Sequence, residues 1–279
     1  MKLYDRIASI EIGPPGGTGF RFTGNRILFQ VDKSDRVEAN KARVEIMNLS
    51  EDTRNRIKTL DDQLIIRAGY VEATGEEVLF TGRVSRVEHR YPVPDIVSRI
   101  EAGDGATELR ERRSSVSFSG GTDMQQIVQK LVDDFGLEIR DSIDVPRLRW
   151  TQGFSYAGPT REGLRKVLDR AGLDYSIQNG FLQIVERGGA NRKTAVLVSS
   201  STGLLSSPSP LDDQGGSLTE AKRKPGWAFR TLLQPQIEPG GTVQLESREA
   251  RGMFRVNSVR HQGDTHGADW FSEVEVSEL

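Results

Sequence analysis

The chain has 279 residues, more than one modest hydrophobic core usually organises, so two or three domains are expected. Its 35% hydrophobic and 28% charged residues describe an ordinary globular chain, and no stretch approaches the roughly 20 apolar residues of a membrane-crossing helix. The absence of cysteine excludes disulfides, thiolate nucleophiles and iron-sulfur clusters, and 38 basic against 40 acidic residues give no overall cationic field for gripping nucleic acid.

The N-terminal "MKLYDRIASIEIG" lacks the uninterrupted apolar centre of a signal peptide, which points to synthesis and assembly in a cytoplasm. "GPPGGTG" (Gly13 to Gly19) has two prolines that remove backbone donors and no Lys-Ser/Thr ending, so it reads as a turn rather than a phosphate cradle. Strand candidates follow in "RILFQVDK", "KARVEIMNLS" and "QLIIRAGY". Between the last two, Ser50 is a good N-cap for a short helix reaching about Leu60, expected to plug one end of a small barrel. "RVSRVEHRYPVPDIVSRIEA" (Arg83 to Ala102) is a strand-turn-strand unit in which Val84 and Val87 break the two-residue period, predicting a β-bulge after Val84.

The middle of the chain alternates helix, glycine and strand. "QKLVDDFGLEI" (Gln129 to Ile139) aligns with "RKVLDRAGLDY" (Arg165 to Tyr175), with Gly136 and Gly172 supplying the left-handed residue that stops each helix. The first helix opens at "TDMQ", where Thr122 and Gln125 are spaced as a capping box, and its apolar stripe is Ile127, Val128, Leu131, Val132 and Phe135. The second begins at Thr160 and presents Leu164, Val167, Leu168 and Ala171. In "LDYSIQNGFLQIVE", Asn179 and Gly180 are the two-residue turn of a hairpin.

A stretch rich in Ser, Gly and Pro then leads to the strand candidates "WAFRTLLQPQI" and "GTVQLES". The final unit, "RVNSVRHQGDTHGADWFSEVEV" (Arg255 to Val276), matches the earlier one position by position. Val256, Val259 and His261 correspond to Val84, Val87 and His89, while Asp269, Trp270 and Ser272 correspond to Asp95, Ile96 and Ser98. A second bulge is expected after Val256. The return strand places Trp270, Ser272, Val274 and Val276 on one face and Glu273 and Glu275 on the other. The fold expected is mainly β with an α+β middle: two related small β-barrel domains flanking a mixed α/β domain. Its parts are an N-terminal barrel (1–105), the middle domain (106–190), a linker (191–226) and a C-terminal barrel (227–279) that strands from 191–200 could complete.

Chemistry is sparse. His261, Asp264, His266 and Asp269 have the types of a metal site, but the matching loop "RYPVPD" keeps only the counterparts of His261 and Asp269, and "GDTHGAD" suits a tight reversal. The unit therefore reads as a hairpin tip, and no metal, cofactor or catalytic residue is assigned. Asp133, Asp134 and Asp169 sit beside apolar helix stripes where surface charge is ordinary. The serines of "RSSVSFSGG" lack the strand-elbow-helix setting of a hydrolase nucleophile. The basic stretch "EAKRKP" (Glu220 to Pro225) has no interleaved aromatics.

The joint order of "NKARVEIMNLSEDTR", "LFTGRVSRVEH", "IEAGDG", "GTDMQQIVQKLVDDFGL", "TGLLSSPSP", "LLQPQIEPGGTVQLES" and the final hairpin resembles the baseplate hub proteins of contractile-tailed bacteriophages and tailocins. More distantly it is similar to the hub portion of the type VI secretion spike. The resemblance implies a structural virion protein of the tail baseplate: a homotrimeric ring joining a six-fold tail tube to a three-fold central spike. DNA would pass through without specific binding, no part would insert in a membrane, and a tape-measure protein is a further candidate partner. It implies no enzymatic activity. The readings weighed against it are a tail-associated hydrolase of peptidoglycan or polysaccharide and a β-rich carbohydrate-binding tail accessory.

Overall fold

Alternation of apolar and polar side chains builds the first seven strands. The computed structural model describes residues 5–57, 61–73, 75–191, 194–211 and 225–279. In chain order these strands are β1 (Arg6–Gly13), β2 (Phe20–Phe22), β3 (Ile27–Ser34), β4 (Asn40–Met47), β5 (Gln63–Tyr70), β6 (Gly75–Arg90) and β7 (Val97–Asp104), with helix α1 (Glu51–Arg56) between β4 and β5. They lie antiparallel in the order β3-β4-β7-β6-β5-β1-β2. Every second residue enters one core: Ile27, Phe29 and Val31, then Ala42, Val44 and Ile46, then Leu64, Ile66 and Ala68. Each large side chain so buried stabilises the fold by about 1.5–3 kcal/mol. "GPPGGTG" is the connection between β1 and β2. Ser50 caps α1 by accepting from Thr53 N. The helix buries none of its own residues; its flanks Leu49 and Ile57 reach the core instead, and the expected extension to Leu60 falls outside the described residues.

The middle segment comprises α2 (Ala106–Glu111), β8 (Arg113–Phe118), β9 (Thr122–Asp123), α3 (Met124–Phe135), β10 (Glu138–Ile139), β11 (Arg149–Trp150), β12 (Phe154–Pro159), α4 (Thr160–Asp169), β13 (Leu173–Gln178) and β14 (Phe181–Glu186). The stripes of α3 and α4 meet in a second core with Phe154, Tyr175, Leu182 and Ile184, to which Ala171 adds a half-buried contact. Gly136 and Gly172 have φ of +73° and +68° at the ends of these helices. The capping box is absent: Asp123 is the N-cap, Thr122 Oγ1 donates to Ser119 O, and Gln125 Nε2 donates to Val145 O. Nearer carbonyl partners outcompete the reciprocal cap.

The last strands are β15 (Val196–Ser199), β16 (Ser209–Pro210), β17 (Gly226–Leu232), β18 (Thr242–Glu246), β19 (Arg251–Asp264) and β20 (Trp270–Glu278), around a third core that includes Phe229, Val243, Val256, Val259 and Val274. Part of the Ser-Pro stretch is therefore structured. Leu204 bridges Thr231, and β16 lies along β17; the "EAKRKP" stretch up to residue 224 falls outside the described residues.

The two ends share one topology. The order β18-β19-β20-β17 repeats β5-β6-β7-β4, with β16 beyond β17 as β3 lies beyond β4. Register slips between Val84 and Arg86 in one copy and between Val256 and Ser258 in the other. At the slip, Val84 exchanges backbone bonds with Asp61 and Asp62, and Val256 does so with Gly240 and Gly241. The protein is thus mainly β with one large antiparallel sheet, in which β19 of the second half pairs with β3 of the first. Because β19 occupies the outer edge of β3, no ring of pairings closes either half among the described residues.

Candidate assembly interface

β19 serves two cores. Arg251 to Arg255 pair with β18, whereas Ser258 to Asp264 pair with β3, from Ser258 opposite Ser34 to Asp264 opposite Leu28. The bulge at Asn257 separates these stretches, since an extra residue bends a strand and increases its twist. Trp270 is 2% exposed and packs edge-on against Phe29 at 5.5 Å and Tyr70 at 6.5 Å. It therefore belongs to the first core, not to that of its own half. Gly263 permits this approach, because a Cβ there would lie 2.3 Å from the Phe29 ring.

The candidate metal residues are spread along this docked hairpin and do not converge. His261 is fully buried in register with Val31, its Nδ1 2.8 Å from Ser272 Oγ, and burial followed by the nearby Lys33 charge pushes its pKa down to about 3. It is a neutral imidazole at physiological pH. Asp264 takes two bonds from Arg26 (2.6 and 3.2 Å) and one from His266 N, and the Arg26 bond holds its carboxyl below the usual range. His266 is exposed beside Thr265, and Asp269 accepts from Gln262. Among the described residues no three metal-ligating side chains cluster. Arg6 donates to Gly267 O and lies over the Trp270 ring, while Ile27 and Thr265 bond in both directions. These polar groups stitch a hairpin tip to the first half. The equivalent His89 in β6 makes the same contact with Ser98, at 3.0 Å.

Where the three cores meet, a buried polar cluster joins them. Lys33 is 3% exposed and its Nζ donates to Glu238 Oε1 (3.3 Å), Asn179 Oδ1 (3.2 Å) and Leu79 O (3.3 Å). Asp104, 1% exposed, accepts from the backbone N–H groups of Asn179 (2.6 Å) and Gly180 (2.8 Å), the two turn residues, whose φ values are +55° and +83°. Asn40 ties Ser34 to Ile177 O and Gln178, and Asn179 Nδ2 reaches Glu238. Burial raises Asp104 to about 6 against the opposing pull of Lys33. Arg255 pairs with Asp35 at 2.5 Å and Arg260 with Asp32 at 2.6 Å along the seam. Lys33, Asp104 and Arg255 are buried and paired, whereas the Arg260–Asp32 pair is half-exposed, so removing a partner of the first three leaves an uncompensated buried charge.

Sequence reasoning missed Lys33, Asp104 and Glu238. One signal existed: in "ILFQVDKS" Lys33 shares the inward parity of Ile27, Phe29 and Val31. The carboxylates weighed for glycoside chemistry are engaged on the surface: Asp133 with Gln129, Asp134 with Lys130, Asp169 with Arg187.

In the duplicated sheet the buried polar groups named above lie between the modules and tie them together. The fold agrees with that of solved tail proteins. The chain is similar to the tail protein from Neisseria meningitidis MC58, at 12% identity and a TM-score of 0.68, covering 99% of this chain and 97% of that one. It is also similar to the 43 kDa tail protein of prophage MuSo2 from Shewanella oneidensis (10% identity, TM-score 0.66, 98% of each chain). A third is the E. coli c3393 protein, a type VI secretion system component described as structurally similar to T4 tail proteins gp27 and gp5 (9% identity, TM-score 0.60, 91% of this chain and 73% of that one). No curated protein sequence matches the chain significantly. The family model described as Baseplate hub gp41 matches residues 24–253, and the chain belongs to that family of phage tail structural proteins.

Proposed function

We propose that three copies of this chain form a ring that joins a six-fold tail tube to a three-fold central spike and surrounds the passage for DNA. The observation that supports the reading is the duplication: one chain carries two modules with the same strand order, bulge and His–Ser contact. Three such chains offer six similar docking surfaces, which reconciles three-fold with six-fold symmetry. In this reading 1–105 and 227–279 are tube-like barrel modules completed on assembly, 106–190 braces them, and 191–226 connects the middle to the last. A net charge of −2 suits a conduit that must not hold phosphates. The ring acts without catalysis, is assembled in the host cytoplasm and has tube, spike and tape-measure proteins as partners. The test is the solution mass with negative-stain images, alone and with tube and spike proteins. A three-copy ring is expected; a strict monomer that binds neither partner overturns the proposal.

A further inference from the structure

The seam inside one chain has a counterpart at its two outer edges. Beyond its bulge, β19 pairs on one side with β20 and on the other with β3. The equivalent stretch of β6, Arg86 to Arg90, pairs with β7 on one side, and no described strand lies along the other. The consequence is visible in burial. Val259 is 2% exposed, whereas its equivalent Val87 is half-buried, and the hairpin that follows exposes Tyr91 (64%) and Val93 (97%).

The counterpart of β3 in the second half is the segment around β16. Gln30 lies opposite Arg43 and Ser209 opposite Ala228, while Arg43 and Ala228 face the equivalent residues Glu101 and Glu275. By the same register Pro210 stands where Val31 stands. Among the described residues β16 pairs with β17 alone, and apolar Leu205 and Leu211 are exposed beside it.

We infer that the Arg86 to Arg90 edge of one copy aligns antiparallel with the Ser209–Pro210 edge of a second copy, repeating between chains the pairing that β19 and β3 make within one. Arg90 then faces Ser209 and His89 faces Pro210, as Gln262 faces Gln30 and His261 faces Val31. This inference rests on the ring reading and names the surfaces that close it. The contact is head-to-tail, the type that generates a ring when the rotation closes. Leu211 N donates inward to Gly226 O, so the Pro210 nitrogen faces the outer edge, where it has no hydrogen to give. The seam between copies holds fewer backbone bonds than the internal one, and Tyr91, Val93, Leu205 and Leu211 carry more of it.

The chain has no cysteine, so an engineered pair reports cleanly. Even-numbered residues of β3 form the closer, non-hydrogen-bonded pairs with β19, and such pairs, about 4.5 Å apart at Cα, lie within disulfide range. Arg90→Cys/Ser209→Cys in the full chain is expected to give covalent dimers and trimers on oxidation, with neither single variant doing so. Val93→Asp is expected to weaken association about 10-fold or more at unchanged far-UV circular dichroism. A ring of wild-type protein together with no interchain disulfide, or with a disulfide confined to one chain, overturns the seam and leaves the ring standing. Wild-type protein that stays monomeric with tube and spike proteins overturns both. Capture of the tube protein by these cysteines in place of a second copy reassigns the edge and overturns the self-pairing.

Discussion

His261 and Asp104 titrate in opposite senses, and replacing either should unmask the other. His261 has an unfolded pKa near 6.5 and a folded value pushed down to about 3, so its stabilisation is present above 6.5 and is lost as pH falls. Between pH 7 and 5 that loss is on the order of 2 kcal/mol. Asp104 behaves inversely, because its folded pKa is raised from 3.8 to about 6: stability is fully present below 3.8 and is lost as pH rises through 6. Acidification from pH 7 to 5 therefore returns an amount on the order of 1 kcal/mol. The two oppose each other in the wild type, so the pair's net response to acid is smaller than the larger of its parts. His261→Gln should therefore lose less stability than the wild type on acidification over that interval, and Asp104→Asn should lose more, each by an amount on the order of 1–2 kcal/mol. Urea denaturation at pH 7 and 5, with m-values held common, measures the differences and cancels the other carboxylates. Parallel pH responses of wild type and both variants would refute the argument.

Four further outcomes follow from the same geometry. Trp270→Ala should cost about 3–5 kcal/mol in chemical denaturation, and limited proteolysis should find cleavage at the hairpin tip. Gly180→Ala meets no atom within 4 Å, so its cost of about 1–2 kcal/mol is backbone strain at φ +83°, readable as a lower Tm. Lys33→Ala should destabilise by about 3–5 kcal/mol, and Lys33→Met combined with Glu238→Gln should recover much of it, as a double-mutant cycle by denaturation will measure. Arg26→Ala should destabilise far less than the buried changes, since the arginine is half-exposed, and the effect should shrink in high salt.

Features that depend on neighbours in sequence were legible before any coordinates. Valines three apart forecast both bulges, Asn179-Gly180 fits the two-residue turn, and alternation placed Trp270 on an inward face. Features that depend on partners far along the chain were not. Periodicity assigns a side chain to a face but not to a core, which is why Trp270 joins residues of β3 and β5 rather than its own half. The duplication was visible as matched residues and the valine spacing forecast the bulge at Asn257, yet nothing local told that β19 would cross there to β3. Lys33 has inward parity in its strand, but what satisfies it and Asp104 comes from Glu238 and the Asn179 turn, far along the chain. The capping box failed for a related reason: the Val145 carbonyl that draws Gln125 away lies in a loop without periodic signal.

The shared strand also has a temporal consequence. β3 pairs with β19, and Trp270 at the start of β20 enters the first hydrophobic core, so that core lacks its indole until the ribosome has passed residue 270. An emerging N-terminal half can collapse early but must wait for a distant hairpin to seat, and pairing at such sequence separation is slow. Chains caught before that event lack Leu233 and Trp270 from an otherwise complete first core, and if copies pair through both halves, the step that finishes folding is also the one that makes a chain eligible to join its neighbours.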